Sequence, residues 1–487
     1  MKQLYTLFLF LISCTLTAQV TQFIDINAGS GNSSPAELYV FNGALYFYAD
    51  DSGGTNTGGV DLGKEMWITD GTVSGTNLFK EFRTGSGNGT VDNFFEFNGK
   101  LYFTAWEQNE GITRIFESDG TAENTVYTNN GFSTVSPIVV GSKAYMINTT
   151  TKTSIDTNNS IYEYDGTTFQ PIADVGSGFP QMSGGNIAKL SDTELIIYMR
   201  YMVGDGNGGS VDANNSNYEP FLYDITSQSF TLLKDIDPGN SSSSMSNLTH
   251  LDGKVYFEAE NDLWVTDGTP SGTIEVAAAT NSSVTNIANI FAWEGKLFFD
   301  GDDGTGDQLW VYNPSADNVV NISNISGTNS NHDPSDYAVY NNYLYYSGKD
   351  GQGSEKHLFR TNGTTVKQLD NVIKDVDEIV VFNNLLYFEG DDGNTGNELY
   401  TLDPSTLSVD QVFTSAISIY PNPSEAFVYV KGDFKDKVSY GIYNINGRQL
   451  QKGVVENETI DHNLASGMYL LKLVSDNKTA IKKLIVR

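Results

Sequence analysis

The chain has 487 residues, with 60 Asp and Glu against 28 Lys and Arg, which gives a formal net charge of −32. This length is too great for one ordinary hydrophobic core, so several domains or a closed array of repeats are expected. The negative charge argues against binding to nucleic acids or anionic membranes. It favours cations and basic partners, and it also suits a long extracellular protein that must stay soluble.

Residues 1–18 are predicted to be a signal peptide. Lys2 precedes a mostly apolar run from Leu4 to Ile12, and small and polar residues lead to a cleavage site between Ala18 and Gln19. The run is too short to cross a bilayer, so no transmembrane span is expected. A second reading stays open, because the four residues ending at Cys14 resemble a bacterial lipoprotein box in which Cys14 would be lipidated. Since Cys14 is the only cysteine, the mature chain has no disulfide under either reading.

A repeated unit dominates residues 19–414. Its clearest copy, at residues 65–76, reads Glu-Met-Trp-Ile-Thr-Asp-Gly-Thr-Val-Ser-Gly-Thr, and residues 262–273 repeat it as Asp-Leu-Trp-Val-Thr-Asp-Gly-Thr-Pro-Ser-Gly-Thr. Shorter echoes begin at Asp119, Asp165 and Asn362. Asp can accept backbone N–H bonds within a turn and Gly can adopt the left-handed conformation, so these positions are interpreted as turns rather than as catalytic groups.

Each unit is predicted to hold four strands. The first two strands are joined by a two-residue turn that needs φ > 0 at both positions, as at Asn42-Gly43 and Asn98-Gly99. The aromatic or apolar centres of the second strands recur about every 49 residues, which is typical of a β-propeller blade. These centres are Phe47, Phe103, Met146, Ile197, Phe257, Phe299, Tyr346 and Phe388. The sequence therefore predicts an all-β, eight-bladed propeller; seven blades remain possible because units three and four, at 131–175 and 176–237, diverge most.

The two ends of the propeller are predicted to meet in one blade. Residues 23–26 read as a fourth strand without a blade of its own, and residues 409–413 end the last unit. An open array would leave sticky sheet faces at both ends, so a latch between these segments would close the ring.

The repeat resembles the ELWxxDGTxxGT repeat proteins of bacterial surfaces. The resemblance rests on the Glu-(Met/Leu)-Trp-x-Thr-Asp-Gly-Thr pattern and covers roughly residues 23–413. It implies a propeller-like fold and carries no activity that can be transferred to this chain.

Residues 415–487 differ in character, with short alternating strands and Asn-Gly and Ser-Gly turns that predict a small β-sandwich. The segment closely resembles the type A C-terminal sorting domain of the type IX secretion system of Bacteroidetes. The residues that carry this resemblance are Tyr420, Pro421, Asn422, Pro423, Gly447, Gly467, Tyr469, Lys482 and Lys483. The resemblance implies handling by the type IX machinery, export to the outer cell surface or the medium, and removal of the domain. An ordinary terminal sandwich is the alternative.

Acidic Gly-rich loops are the best candidates for a metal site, because carboxylates on flexible loops suit Ca²⁺. The candidate ligands are Asp300, Asp302, Asp303 and Asp307 in one loop and Asp391 and Asp392 in another. The alternative is that both are solvated loops joining the second and third strands.

Motifs of nucleophilic, zinc-dependent or phosphate-loop catalysis are absent from the sequence. His250, His332 and His357 are expected to be surface or loop residues, and Trp106 and Trp293 are expected to pack rather than to stack on sugars. The protein is therefore expected not to be an enzyme but a secreted or surface-attached binding or adhesion propeller with a glycan or protein ligand. The alternative is a carbohydrate-active enzyme with acidic residues at one mouth of the ring.

The longest insertions, at 52–63 and 203–218, both connect predicted second and third strands. They are expected to lie on one rim of the ring and to take part in ligand binding.

Overall fold

The computed structural model describes residues 20–53, 58–128, 134–148, 161–172, 179–204, 210–212, 217–239, 241–327, 331–407, 417–432, 438–444, 448–455, 458–475 and 478–487. The chain divides into a large unit, Gln19–Pro404, and a C-terminal unit that contains Ser405–Arg487. The predicted cleavage site at Ala18 and Gln19 and the segment 409–413 lie outside the described residues.

The large unit begins with strand β1 (Thr21–Ile24), and its remaining strands follow in antiparallel groups. Sheet 1 comprises β2 (Ala36–Phe41), β3 (Ala44–Asp50), β4 (Lys64–Thr69) and β5 (Asn77–Lys80), and sheet 2 comprises β6 (Asp92–Phe97), β7 (Lys100–Glu107), β8 (Ile112–Ser118) and β9 (Val126–Tyr127). Sheet 3 comprises β10 (Thr134–Val140), β11 (Lys143–Asn148), β12 (Ile161–Tyr164) and β13 (Phe169–Pro171). Sheet 4 comprises β14 (Phe179–Ser191), β15 (Glu194–Gly204), β16 (Ser210–Asp212), β17 (Glu219–Asp224) and β18 (Ser229–Leu232). The insertion at 203–218 therefore contributes the extra strand β16, which pairs with β15.

Four further sheets complete the unit. Sheet 5 comprises β19 (Ser246–Leu251), β20 (Lys254–Ala259), β21 (Asp262–Thr266) and β22 (Ile274–Glu275), and sheet 6 comprises β23 (Thr285–Trp293), β24 (Lys296–Asp302), β25 (Asp307–Asn313) and β26 (Asn318–Asn321). Sheet 7 comprises β27 (Ser335–Tyr340), β28 (Tyr343–Lys349), β29 (Lys356–Thr361) and β30 (Val366–Gln368). Sheet 8 comprises β31 (Lys374–Phe382), β32 (Leu385–Asp391) and β33 (Asn397–Leu402) together with β1. The described helical segments are α1 (Ala277–Asn281) and two short 3₁₀ turns, Val73–Gly75 and Pro404–Thr406.

The first strands of successive sheets contact one another around a closed circuit. The order is β2, β6, β10, β14, β19, β23, β27, β31 and back to β2. Each sheet buries its faces against the sheets on either side, which gives the large unit its β-propeller architecture.

The core of every sheet lies in its second strand. The eight residues that mark the period in the sequence, from Phe47 to Phe388, are all 0% exposed. Aromatic residues from neighbouring sheets surround them; for example, Phe97 of sheet 2 packs against Tyr164 of sheet 3 with ring centroids 5.8 Å apart. The predicted core positions are therefore confirmed.

The predicted two-residue turns are also confirmed. Asn42 and Gly43 have φ values of 51° and 81°, which match the twist of the strands that they join. At Asn341 and Asn342 the second Asn takes the place of Gly, with φ values of 48° and 62°.

The N-terminal strand β1 is the fourth strand of sheet 8. Thr21 pairs with Thr401 and Gln22 pairs with Tyr400 of β33. Residues from the beginning and the end of the large unit thus share one sheet. This is what the predicted latch requires of the N-terminal strand.

The described residues of the C-terminal unit form two antiparallel sheets. Its strands are β34 (Ser418–Tyr420), β35 (Phe427–Lys431), β36 (Ser439–Asn444), β37 (Gln449–Val454), β38 (Thr459–Asp461), β39 (Gly467–Ser475) and β40 (Lys478–Val486). One sheet has the order β34-β35-β38 and the other β37-β36-β39-β40. Val428 and Ile460 of the first sheet share a buried cluster with Ile442 and Leu471 of the second.

Candidate functional site

The repeat Glu at the start of a third strand holds the connection to the next sheet. Glu65 is 0% exposed and its carboxylate accepts the backbone N–H groups of Phe82 at 2.8 Å and Arg83 at 3.1 Å. Glu219 accepts the N–H of Ile236 at 3.0 Å in the same way. Sequence reasoning assigned no role to this Glu, although its recurrence before the Trp position is the signal that could have revealed one.

Burial changes the acidity of these carboxyl groups. It raises the pKa of Glu65 to about 8 and the pKa values of Glu219 and Glu398 to about 7, although the backbone N–H bonds act in the opposite direction. In sheet 6 the neutral Gln308 occupies the same position, and its Oε1 accepts the N–H of Ile325 at 2.8 Å. A carboxylate is therefore not essential for this contact.

The Asp-Gly-Thr turns have the predicted structural role. The Asp70 carboxylate accepts the backbone N–H of Thr72 at 2.8 Å and its hydroxyl at 2.7 Å, and Gly71 has a φ of 94°. Asn362 accepts the N–H of Thr364 at 3.1 Å in the equivalent turn of sheet 7.

Four of the six predicted metal ligands are used in their own loops. Asp302 accepts the N–H groups of Gly304 and Gly306, and Asp303 accepts the N–H and hydroxyl of Thr305. In the second loop, Asp391 accepts the N–H of Gly393 and also forms an ion pair with Lys374 of β31 at 3.2 Å, and Asp392 accepts the N–H groups of Asn394 and Thr395.

The other two predicted ligands, Asp300 and Asp307, come together with a residue that sequence reasoning missed, Asp333. One carboxylate oxygen of each lies within 4.8 Å of the other two, and this trio is called the three-carboxylate centre below. Asp300 is 8% exposed, and its Oδ1 has no hydrogen-bond partner among the described residues.

Backbone hydrogen bonds place Asp333 beside Asp307. The N–H of His332 donates to the carbonyl of Asp307 at 2.7 Å, so the connection that leads to sheet 7 is held against the start of β25. The same bond recurs elsewhere, from Gly89 to Lys64 at 2.8 Å and from Ser33 to Asn397 at 2.9 Å. This backbone hydrogen bond is thus a general feature of the repeat, whereas the side chains beside it differ from sheet to sheet.

The electrostatics of the three-carboxylate centre are dominated by burial and like charge. Burial, followed by the charges of Asp307 and Asp333, raises the pKa of Asp300 to about 8. Burial and a hydrogen bond with Asp333 raise the pKa of Asp307 to about 6. Lys349 forms an ion pair with Asp333, and Lys356 is the other cation that acts on this group.

His332 lies in the loop before β27, which is one of its two predicted locations, but it is 0% exposed, so the surface alternative is wrong. Its Nδ1 lies 2.6 Å from the carbonyl of Lys349 and its Nε2 lies 3.0 Å from the Tyr346 hydroxyl. Burial lowers the pKa of His332 to about 4, so the ring is neutral at pH 7 and adds no positive charge beside Asp333. Trp293 packs as predicted and is 8% exposed, and the guanidinium of Arg83 lies 4.3 Å from the Trp106 ring.

A second acidic group lies on the first strands of sheets 7, 8 and 1. Asp336, Glu378 and Glu37 occupy equivalent bulges, with φ values of 54°, 56° and 57°, and are called the inner carboxylate cluster below. The carboxylate of Glu378 accepts the N–H of Leu38 at 3.4 Å across the junction of sheets 8 and 1. Burial, followed by the charges of Asp92 and Glu378, raises the pKa of Glu37 to about 7.

Other sheets carry neutral residues at the same bulge. Asn93, Asn247 and Asn289 have φ values of 57°, 55° and 50° there. The side-chain oxygen of Asn247 accepts the N–H of Asn289 at 3.1 Å, so an amide makes the contact between neighbouring sheets without a charge. The contact between neighbouring sheets therefore does not require the negative charges of the inner carboxylate cluster.

Several residues of the sorting-domain motif, namely Asn422, Gly467 and Tyr469, meet β40. The side chain of Asn422 donates to the carbonyl of Lys483 at 2.7 Å and accepts the N–H of Ile485 at 2.9 Å. Tyr469 donates to the carbonyl of Ala465 at 2.7 Å from β39, which begins at Gly467. Tyr420, Pro421 and Pro423 lie at or just after β34 and Lys482 lies in β40, whereas Gly447 is outside the described residues.

Comparison with solved structures found distant similarities. A puromycin hydrolase mutant is 8% identical, with a TM-score of 0.42 over 74% of this chain and 59% of that chain. The extracellular domain of a putative hybrid two-component system from B. thetaiotaomicron is 12% identical, with a TM-score of 0.41 over 96% and 59%. The β-propeller domain of the Trilobed protease from Pyrococcus furiosus is 10% identical, with a TM-score of 0.39 over 70% and 97%. The chain thus spans about three fifths of the first two structures.

These comparisons correct one expectation. Several of the similar structures are peptidases, including a prolyl endopeptidase and an acylaminoacyl peptidase. The expectation that the protein is not an enzyme is therefore corrected: its fold also occurs in peptidases and does not exclude enzymatic function.

The search of curated proteins found no match. Among the described residues, no helix has the length and apolar character needed to span a membrane. Residues 418–487 match the family model described as a secretion system C-terminal sorting domain, which implies export by the type IX system to the cell surface or the extracellular space.

Proposed function

We propose that the protein is an exported eight-bladed propeller that binds a basic extracellular polypeptide at the inner carboxylate cluster, with a C-terminal β-sandwich as its sorting domain. The closed circuit of eight first strands supports the blade count, and the shared core of the two C-terminal sheets supports the sandwich. Recognition by the secretion machinery is assigned to the sorting domain, because residues 418–487 match its family model.

The observation that carries the binding proposal is the difference between equivalent bulges. Asn occupies this position in sheets 2, 5 and 6, and in sheet 5 its side chain makes the contact to the next sheet, whereas carboxylates occupy the position in sheets 7, 8 and 1. Three neighbouring, partly buried carboxylates repel one another, and Lys64 is the cation that acts on both Glu37 and Glu378. A Lys or Arg side chain of a ligand would relieve this repulsion and would gain from the low local dielectric.

The connectivity places this cluster on a defined face. In a four-stranded antiparallel sheet, the connections from strand two to three and from strand four to the next sheet lie at the same end. Glu37 and Asp336 are the second residues of their strands, and Glu378 follows Asp377, whose pairing with Glu389 matches that of Ala36 with Tyr48, so the three bulges lie toward that end. Strands β3 and β15, which precede the long insertions, end at this same face at Asp50 and Gly204, and this supports the proposal that the insertions share one rim.

The test compares two triple variants with equal changes of charge. Glu37→Gln, Asp336→Asn and Glu378→Gln remove the inner carboxylate cluster, and the Asn residues at equivalent bulges indicate that the fold tolerates neutral side chains. Asp70→Asn, Asp119→Asn and Asp267→Asn remove three charges from turns at the opposite end of the strands, where Asn362 is the natural precedent. Binding of fluorescent oligolysine and oligoarginine is measured by anisotropy at several salt concentrations.

We expect the first variant to bind at least about tenfold more weakly than the second, since each lost charge contact weakens a salt-dependent interaction. Equal weakening of both variants would attribute binding to net charge alone and would refute the site. The same samples are assayed for peptide cleavage; turnover abolished by the first variant would make the cluster a catalytic site instead.

A further inference from the structure

We propose that Asp300, Asp307 and Asp333 bind a divalent cation at the junction of sheets 6 and 7. The three-carboxylate centre supplies hard oxygen ligands, which suit Ca²⁺, Mg²⁺ or Mn²⁺. This site is separate from the inner carboxylate cluster and does not depend on the ligand proposed for it.

The buried carboxylate of Asp300 is the strongest sign of a ligand. A carboxylate that is more than nine-tenths buried normally has its oxygens paired, because an unpaired buried polar atom costs free energy. Asp300 is 8% exposed, yet its Oδ1 has no hydrogen-bond partner among the described residues. A bound cation would pair this oxygen and would counter the repulsion from Asp307 and Asp333.

Equivalent positions in other sheets provide an internal comparison. The residue that begins the third strand is Lys64 in sheet 1, where it pairs with Asp50, and Lys356 in sheet 7. The Nζ of Lys64 lies 4.8 Å from the ring of Tyr48, which occupies the position of Asp300, and the Nζ of Lys356 lies 2.5 Å from the Ser335 hydroxyl. These two sheets therefore carry their own cation, whereas sheet 6 has Asp307.

Sheet 8 has the closest acidic counterpart, but it is already satisfied. Glu389 occupies the position of Asp300, and Asn397 occupies that of Asp307. The amide of Asn397 donates to the Glu389 carboxylate at 2.8 Å. Ser34 occupies the position that is equivalent to Asp333. Among these four sheets, only sheet 6 places carboxylates at all three positions.

The positive charges near the three-carboxylate centre are fewer than its carboxylates, so a bound cation would be electrostatically favourable. Lys349 forms an ion pair with Asp333 through one carboxylate oxygen, and Lys356 acts on both Asp300 and Asp333 from a greater distance. Asp302 adds further negative charge beside Asp307.

The experiment measures cation binding directly in the purified protein after chelator treatment. Ca²⁺, Mg²⁺ and Mn²⁺ are titrated separately by calorimetry, and Tb³⁺ is titrated by its sensitised emission. Trp310 is a suitable sensitiser, because its indole N–H donates to the carbonyl of Gly301, next to Asp300, at 2.9 Å. Asp300→Asn and Asp333→Asn are the test variants, and Asp303→Asn, an exposed carboxylate of the same loop, is the matched control.

We expect one site whose affinity falls by at least about tenfold in both test variants and is unchanged in the control. Asp307→Lys gives an independent readout, because it copies the cation found in sheets 1 and 7. This variant should fold, bind no divalent cation, and have a melting temperature that is the same with added cation and with chelator. Loss of binding in Asp303→Asn alone, or absence of binding by the unaltered protein at millimolar cation, would overturn the proposal.

Discussion

The Glu398 carboxylate accepts a hydrogen bond from the backbone N–H of Ile26 at 2.9 Å and so joins residues that are 372 positions apart. Glu398 also accepts the hydroxyl of Ser33 at 2.6 Å and the N–H of Asn27 at 3.3 Å. In other sheets, the carboxylate at this repeat position holds the connection to the next sheet. In sheet 8, the carboxylate of Glu398 instead binds the first segment of the large unit. Closure of the ring therefore depends on the same contact as the rest of the repeat.

Glu398→Ala should lower the free energy of unfolding by about 3 kcal/mol, because it leaves several buried donors without an acceptor. Glu398→Gln should cost less, since Gln308 fills the equivalent position in sheet 6. Urea unfolding at pH 7 measures both, with the exposed Glu123→Ala as a control. Equal losses for Ala and Gln would show that the acceptor oxygen is not what matters.

The stability of the large unit should decrease as the pH rises from about 5 to about 8. Burial raises the folded-state pKa values of Glu65, Glu219 and Glu398 above the ordinary value of a Glu side chain, so the folded state binds more protons than the unfolded state in this range. The free energy of unfolding therefore falls with pH, by up to about 1.4 kcal/mol per pH unit for each group.

Nearby charges do not reverse this sign. Glu81 acts on Glu65, Asp235 on Glu219 and Asp25 on Glu398, each raising the pKa further, while Arg83 opposes only at Glu65. Urea unfolding at several pH values provides the measurement, and the triple Gln variant of the three Glu residues should show a flatter profile. A slope that persists unchanged in this variant would assign the effect to the other buried carboxyl groups, such as Asp300 and Glu37, or to overall charge repulsion.

Deletion of residues 19–27 should lower the melting temperature sharply, because it removes β1 from sheet 8 and the N–H groups that bind Glu398. The deletion and Glu398→Ala disrupt the same contact, so their effects should be smaller together than the sum of the two separately. Calorimetry of the two single variants and their combination tests this relation. Strict additivity, or an unchanged melting curve for the deletion, would argue against the latch.

Removal of residues 415–487 should leave the protein in the periplasm, because residues 418–487 match the sorting-domain family. Asn422→Ala should impair export more mildly, since it removes the side-chain bonds to Lys483 and Ile485 without removing a strand. Immunoblots of periplasmic, surface and medium fractions measure the outcome, and Glu123→Ala in the large unit serves as a control. Normal surface delivery of the truncated chain would refute the role of this segment.

Some features of the fold follow from short stretches of sequence. An Asn-Gly pair such as Asn42 and Gly43 sets a tight turn through its own backbone preferences, and an aromatic residue such as Phe47 must be buried whatever surrounds it. The regular spacing of such residues was therefore enough to predict the strands, the turns and the core positions. The Asp-Gly-Thr turns were predictable for the same reason, because Asp70 bonds to residues only two positions away.

The candidate sites depend on contacts that no local pattern encodes. Asp300 and Asp307 share a loop in the sequence, but Asp333 reaches them only because the connection to sheet 7 is held by the bond from His332 to Asp307. Burial of His332 and the bond from Ile26 to Glu398 likewise require neighbouring sheets to be in place. The sequence by itself determined the repeats, the turns and the export segment, because these depend on neighbours in the chain. Only the tertiary structure decided which charges lie together, because that depends on how the sheets pack around the ring.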